Sequence, residues 1–499
     1  MRKKTILIIG GGVAGLAAGI YAQKNGYQSQ IFEMHFLPGG LCTSWRRRDY
    51  LFDGSIRFLS GTSPNAAAYQ LWKELGALEG REVYYYDELT RFEDRDGRAF
   101  SLYTNIDRLE AHMLELSPQD QAVTRELCEA LRGFTRLDLP VDLTLTEPEE
   151  GLEMGQRVMP ALFHLLRWQN VSIPAFAARF KDPLLKEALP QFFQFSPPDF
   201  PIIMMMMTLA QMHNRESGYP IGGSLAFAEG LAKKYEELGG QIHYKSRVSR
   251  ILVEEDKATG VRLANGSEHR SDIVISAADG YATIFHLLGG RYADNTIRKY
   301  YAELPVAKPI LQISLGVGQD FSQEPASLNF PLRRPFMLGN IAHERLVLKH
   351  YCFDPNMAPA GKSALTLWCE ADDYHWRRLY FDPQAYEEAK QEAASLVLRG
   401  LEERYPGLSQ HVEVIDVATP VTYERYTANW RGSINGWALS QRKLNMMMGA
   451  GMKKTLPGLE NFYRIGHWVE PGGNVELSCA SGRDVIKDLC KMEDRPFKG

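Results

Sequence analysis

Long uncharged apolar runs are missing from this chain of 499 residues. A bilayer-spanning helix needs about 20 predominantly apolar residues. The nearest stretch, residues 190–212, carries only Asp199 as a charge, but prolines at 190, 197, 198 and 201 argue against a spanning helix. No secretory leader is expected at the amino terminus. Met1-Arg2-Lys3-Lys4-Thr5 followed by Ile6-Leu7-Ile8-Ile9 imitates one, but glycines end the apolar run long before the roughly 7–15 residues of a leader core. Cysteines are few, at 42, 128, 352, 369, 479 and 490, with no CxxC pair and no Cys/His cluster at zinc-ligand spacing. The expectation is six reduced thiols in a cytoplasmic protein, with no metal site. Excess positive charge is absent as well. Lys and Arg total 57 against 61 Asp and Glu, a formal charge of −4, so no global field attracts nucleic acid. With 44% hydrophobic and 24% charged residues the chain reads as globular. At about 150 residues per domain, length alone suggests roughly three domains.

What the sequence has begins at its amino terminus. Thr5 to Ile9 is a short β-branched apolar run, as expected for a strand buried on both faces. Gly10-Gly11-Gly12-Val13-Ala14-Gly15 follows directly, then a helical pattern to Asn25, a stop at Gly26, a second strand Gln28 to Phe32, and Glu33. This is Gly-x-Gly-x-x-Gly in its strand–turn–helix–strand–acid context, which predicts a dinucleotide site. Gly10 permits the tight turn, Gly12 lets backbone approach a pyrophosphate, and Gly15 lets helix pack on strand. Val13 and Ala14 begin the helix whose free N–H groups meet the phosphates. Glu33 is placed to accept hydrogen bonds from ribose hydroxyls.

The next residues carry a family signature. Phe36-Leu37-Pro38-Gly39-Gly40-Leu41-Cys42-Thr43-Ser44-Trp45 and Tyr50-Leu51-Phe52-Asp53-Gly54-Ser55 resemble the flavin amine oxidase and phytoene desaturase superfamily. There this segment passes along the phosphates and the flavin, which assigns Gly40, Leu41 and Ser55 to the cofactor. The doublet commonly precedes Arg or Lys, and Leu41 stands there instead. Arg46-Arg47-Arg48 either supplies the missing phosphate charge or is a solvated basic turn.

The resemblance recurs further on. Tyr219-Pro220-Ile221-Gly222-Gly223-Ser224 opens a helix, Gln241–Tyr244, Val248–Val253 and Gly260–Leu263 alternate like strands, Asn265-Gly266 marks a hairpin, and Asp272–Ala278 is a buried strand. The family's residue matching Val248 meets the adenine. Thr419–Thr427 and Gly432–Trp437 resemble its late substrate-side segment. Phe462–Gly466 reads as a strand, His467-Trp468-Val469-Glu470-Pro471-Gly472-Gly473-Asn474 as a loop, and Val475–Met492 as a helix. That loop resembles carotenoid desaturases more than amine oxidases, which usually carry an acid where His467 stands. It adds Gly466, Gly473, Asn474 and Val475 to the cofactor set. Gly316-Val317-Gly318 and Gly449-Ala450-Gly451 lack the context of a second nucleotide site. One FAD and no separate NAD domain is the expectation.

The middle of the chain holds Phe192-Phe193-Gln194-Phe195 and methionine runs at 204–207 and 446–448. These are core packing, or the wall of a tunnel for a long apolar substrate, or a patch touching a membrane. Polar groups expected near the flavin are His467, Glu470, Arg425 and Tyr423, with His467 the first candidate for proton handling. His213-Asn214-Arg215-Glu216 either polarises a substrate group or is a wetted loop. No Ser/His/Asp triad is readable from spacing.

The cofactor motifs sit near residues 10, 248 and 472, so three consecutive domains give way to two interleaved ones. An α/β fold is expected, with a Rossmann-like FAD-binding domain (a mixed sheet with helices) from residues 1–70, 219–300 and 455–499. An α+β substrate domain is expected from 71–218 and 301–454. The resemblance implies an FAD-dependent oxidoreductase acting on C–C or C=C bonds of a lipophilic unsaturated substrate, as desaturase, saturase or isomerase. The other readings are a flavin amine oxidase and a non-catalytic carrier of prenyl or lipid ligands. Any membrane association is expected to be peripheral.

Overall fold

The computed structural model describes residues 3–138, 155–438, 440, 452–470 and 472–499. Five short segments far apart in sequence build one sheet: β1 (Thr5–Ile9), β2 (Gln28–Phe32), β3 (Gln241–His243), β4 (Ile273–Ser276) and β5 (Phe462–Arg464). The spatial order is β3-β2-β1-β4-β5, and every pairing is parallel. A parallel sheet is buried on both faces, and alternate residues separate accordingly. Ile6, Ile8, Ile31, Ile273 and Ile275 enter one core, while Leu7, Ile9, Phe32, Val274 and Phe462 enter the other. The antiparallel strands beside it, Val248–Glu254, Lys257–Leu263 and Glu268–Arg270, form a separate three-stranded meander. Gln241–His243 does not join that meander. It extends the parallel sheet at β2.

Three helices cover one face: α1 (Val13–Lys24), α2 (Gly223–Glu237) and α3 (Val475–Met492). Small residues set how closely they approach. A Cβ on Gly15 would stand 2.1 Å from the Gly10 carbonyl oxygen, one on Gly19 2.7 Å from the Tyr235 ring, and one on Gly482 2.7 Å from the Ala14 carbonyl oxygen. Larger side chains at these points would force the helices apart.

A second, seven-stranded sheet has the order Val412–Ala418, Ile310–Val317, Ser363–Glu370, Ile341–His350, Ser327–Leu338, Glu88–Glu93, Ala99–Tyr103. It is antiparallel except where Ser327–Leu338 meets Glu88–Glu93. Leu311, Leu328, Phe330, Leu346, Leu348 and Leu367 pack with Val397 and Leu401 of the helix Pro383–Arg404. The alternate residues Ser327, Asn329, Val347, Lys349 and Trp368 line a large cavity. Helices Ile106–Leu116, Gln121–Phe134 and the methionine helix Ile202–His213 form a third apolar cluster over the end of this sheet.

Candidate functional site

That cavity has a volume of about 1540 Å³ and runs between the two sheets and the third cluster. A drug-sized ligand occupies a pocket of about 300–1,000 Å³, so there is room for more than one such molecule.

Its nucleotide region starts at the end of β1. Gly10 takes φ +98°, a left-handed turn that glycine tolerates best. Gly12 caps α1 with extended angles, no side chain caps the helix, and no acid occupies its first turn. The first N–H groups of α1 are therefore left for an anion. The doublet lies across from them. Gly39 pairs with Gly12 as an isolated bridge, and its N–H donates to the Gly11 carbonyl at 2.8 Å. Glu33 is buried on this wall. Its carboxylate accepts the Gly11 N–H at 2.6 Å and the His35 N–H at 2.7 Å. Burial pushes its pKa up, against those two bonds.

Of the residues expected to hold the cofactor, Gly10, Gly12, Val13, Ala14, Glu33, Gly40, Leu41, Ser55, Val248, Gly466, Gly473, Asn474 and Val475 all line the cavity. Gly15 does not; it sits beneath the turn, where its lack of a side chain serves packing. These residues fit FAD in one respect that the chain itself displays. A Cβ at Gly12 would meet nothing nearer than 3.7 Å, so the space beside its backbone is open to a ligand.

The last loop and the late segment meet. A Cβ on Gly436 would lie 2.6 Å from the His467 ring, and one on Gly473 2.7 Å from Asn435. Pro471 lies outside the described residues, as do Met446–Met448 and Gly449-Ala450-Gly451. The Gly466 N–H donates to Ser481 Oγ at 2.8 Å, and Asn474 caps α3 by accepting the Leu477 N–H at 2.8 Å. His467 lines the cavity, and its Nε2 has no hydrogen-bond partner among the described residues. Burial lowers its pKa to about 4, so the ring is neutral at pH 7. Glu470 also lines the cavity, but Lys454 holds it at 3.2 Å and itself reaches Asp484 at 2.5 Å. Arg425 is exposed and lies over the Tyr426 ring at 4.7 Å, on the solvent side of the cavity wall.

The sequence pattern of the flavin-containing amine oxidoreductase family matches residues 13–485. The chain belongs to that family. As a member it is an FAD-dependent oxidoreductase with an α/β fold. It is 25% identical over 493 residues to a chloroplastic prolycopene isomerase of Arabidopsis thaliana, covering 95% of this chain and 81% of that one. It is 27% identical to a neurosporene-forming phytoene desaturase of Cereibacter sphaeroides, covering 96% and 93%. An oxidoreductase structure from Methanosarcina mazei shares the fold, with a TM-score of 0.61, 18% identity and coverage of 97% and 100%.

The structure decides between readings that the sequence left open and moves Tyr423 off the cavity in this family member. Arg46, Arg47 and Arg48 are not on the cavity wall. Arg47 pairs with Asp416 at 2.7 Å, and Arg48 donates to the Glu413 carbonyl at 2.9 Å, so they tie a hairpin to the second sheet. Tyr423 is buried off the cavity and donates to Gln312 Oε1 at 3.0 Å. His213 accepts the Ile106 N–H, and Asn214 donates to the Thr135 carbonyl, so that cluster is structural. The 190–212 stretch is cavity wall and core rather than a surface patch. Phe192, Phe193, Phe195, Phe200, Met204 and Met207 line the cavity, while Met205 and Met206 are fully buried.

The sequence reading missed four groups on this wall. Asp279 follows β4, accepts N–H groups from Ala282 at 2.7 Å and Trp430 at 2.9 Å, and is pushed up to about 7 by burial. Glu476 in the first turn of α3 accepts the Ser60 N–H and is raised by burial. Arg57 and Lys349 bring positive charge into the same cavity. A strong hint existed only for Arg57, which follows the Asp53-Gly54-Ser55 motif by two residues.

Proposed function

We propose that the chain acts on C–C or C=C bonds of a lipophilic unsaturated substrate of polyene type. The carrying observation is a continuous cavity that joins the glycine cradle to a wall of Phe192, Phe193, Phe195, Phe200, Met204 and Met207. The names of the similar isomerase and desaturase support the same substrate class. FAD, when bound, supplies the capacity to take up or return a hydride. In this proposal the cofactor wall comprises Gly10, Gly12, Val13, Ala14, Glu33, Gly40, Leu41, Ser55, Val248, Gly466, Gly473, Asn474 and Val475. His467, neutral with an unpartnered ring nitrogen, is a group on this wall free to accept a proton or hydrogen bond. Glu470 holds its loop through Lys454, and Arg425 stands at the rim.

The division into cofactor and substrate domains is part of the same proposal. It is supported by the sheets, since all five parallel strands fall in residues 1–70, 219–300 and 455–499. All seven strands of the other sheet fall in 71–218 and 301–454. We also propose peripheral membrane contact, at a site other than the 190–212 stretch. Met159, Phe163 and Leu166 are exposed on the short helical segment whose Leu165 lines the cavity.

The test is an anaerobic assay of the FAD-loaded protein with polyenes of increasing length, following flavin absorbance and product by chromatography. Flavin bleaching, or an isomerised or desaturated product, is the expected result. Neither bleaching nor product with any polyene overturns the reading. Peroxide release with amines would establish the amine oxidase alternative, and a protein that takes up no FAD would establish the carrier.

A further inference from the structure

Two cations stand in this cavity without a carboxylate. Lys349 comes from the strand Ile341–His350 and is 9% exposed, yet its Nζ has no hydrogen-bond partner among the described residues. Its Nζ stands over the Trp368 ring, 4.3 Å from the ring centroid. Arg57 places its guanidinium 4.6 Å from the same ring. It donates one bond, at 2.7 Å, to the neutral amide oxygen of Gln194, and its Nε is unpartnered. All four residues line the cavity.

The surroundings hold this cluster in place. Gln194 donates to the Trp368 carbonyl at 3.1 Å, and Trp368 Nε1 donates to Gln312 Oε1 at 2.9 Å. Gln312 donates to the Asp53 carbonyl at 3.1 Å, and Tyr86 donates to the Arg57 carbonyl at 3.0 Å. The frame is therefore built from neutral groups. Burial lowers Lys349 well below its ordinary pKa, with Arg57 as a second cause, and burial brings Arg57 down to about 10.

Burying a lone cation costs several kcal/mol, and a contact with an aromatic face returns about 0.5–2 kcal/mol. Two such cations around one ring also repel each other. Beside an apolar hydrocarbon that cost stands, or is relieved at Lys349 only by loss of its proton, whereas an incoming anion keeps the amine charged and offsets the cost with charge-assisted hydrogen bonds. We propose that Arg57 and Lys349 form a carboxylate-binding subsite, and that the preferred substrate is an unsaturated lipid carrying a carboxylate. The apolar part of such a molecule lies along the phenylalanine and methionine wall. This inference rests on the lipophilic reading above and adds the polar end of the substrate.

The experiment is equilibrium binding of parinaric acid, a fluorescent conjugated polyene acid, and of its methyl ester to the FAD-loaded protein. The acid is expected to bind at least tenfold more tightly than the ester. Lys349→Met and Arg57→Gln should each bring the acid to the affinity of the ester. Ester affinity, flavin content and the visible flavin spectrum should stay unchanged, and Lys349→Arg should keep the preference for the acid. Equal affinity for acid and ester in the unaltered protein overturns the subsite. So does an equal weakening of both ligands in the Met and Gln variants. A protein that reacts with neutral polyenes and ignores the acid overturns the subsite alone. One that binds neither ligand overturns the lipophilic reading with it.

Discussion

At Gly12 the backbone angles are φ −68° and ψ 171°, which any residue adopts. Glycine there answers a need for space. The same substitution at Gly15 would drive a Cβ to 2.1 Å from the Gly10 carbonyl oxygen, within the fold itself. The two positions of one motif therefore fail differently. Gly12→Val should cost about 1 kcal/mol or less of stability, the difference between a glycine and a valine cap. It should also lower FAD content below a tenth of the normal amount, because the branched side chain fills the open side of the cradle. Heat-released flavin per chain, measured beside the melting temperature, separates the effects. Full flavin content in Gly12→Val would contradict this placement of the phosphates.

The methionine helix shows what an element adds to its residues. At 100° per residue, positions 204, 207, 208 and 211 fall on one stripe and 202, 205, 206 and 209 on the opposite one. Met204, Met207, Thr208 and Gln211 line the cavity, and Ile202, Met205, Met206 and Leu209 are buried in the core. Met206→Ala should then cost about 2–5 kcal/mol, as large-to-small core changes do. Met207→Ala should change stability by less than about 1 kcal/mol while altering substrate KM. Denaturant titration and steady-state kinetics on both variants check this, and equal stability losses would contradict the assignment. Within Ile202–Met207 the run is apolar throughout and carries no stripe, so only Thr208 and Gln211 further along mark the face that Met204 and Met207 share. Where the signal is local it was legible. Thr5–Ile9, Gln28–Phe32 and Val475–Met492 form with the bounds their residue types imply. Gln241–His243 alternates like the strands after it, and only tertiary packing tells that it joins β2. Arg57, Lys349 and Trp368 converge from three distant segments, and Asp279 is raised chiefly by burial, with Glu424 as a further cause, so spacing shows neither the cluster nor the shift.

At the scale of the whole molecule, a large apolar cavity needs a route by which a lipid reaches it. No helix among the described residues is long and apolar enough to cross a membrane, so contact through these helices would be superficial. Met159, Phe163 and Leu166 are 64%, 67% and 60% exposed, an unusual cost for three large apolar side chains on one short segment. Each gives about 1.5–3 kcal/mol when fully removed from water, so partial insertion of three yields a weak, reversible attachment of about 3–6 kcal/mol. Leu165, between two of them, turns to the cavity, which puts the patch beside a path inward. Replacing Phe163 and Leu166 together by Glu should abolish flotation with phosphatidylcholine vesicles. Flavin content, and reaction with substrate presented in detergent, should be unchanged, because neither side chain packs in the core. If the unaltered protein remains wholly in the soluble fraction, the patch serves no membrane. If the double variant loses the detergent reaction as well, its role is in the fold rather than in delivery.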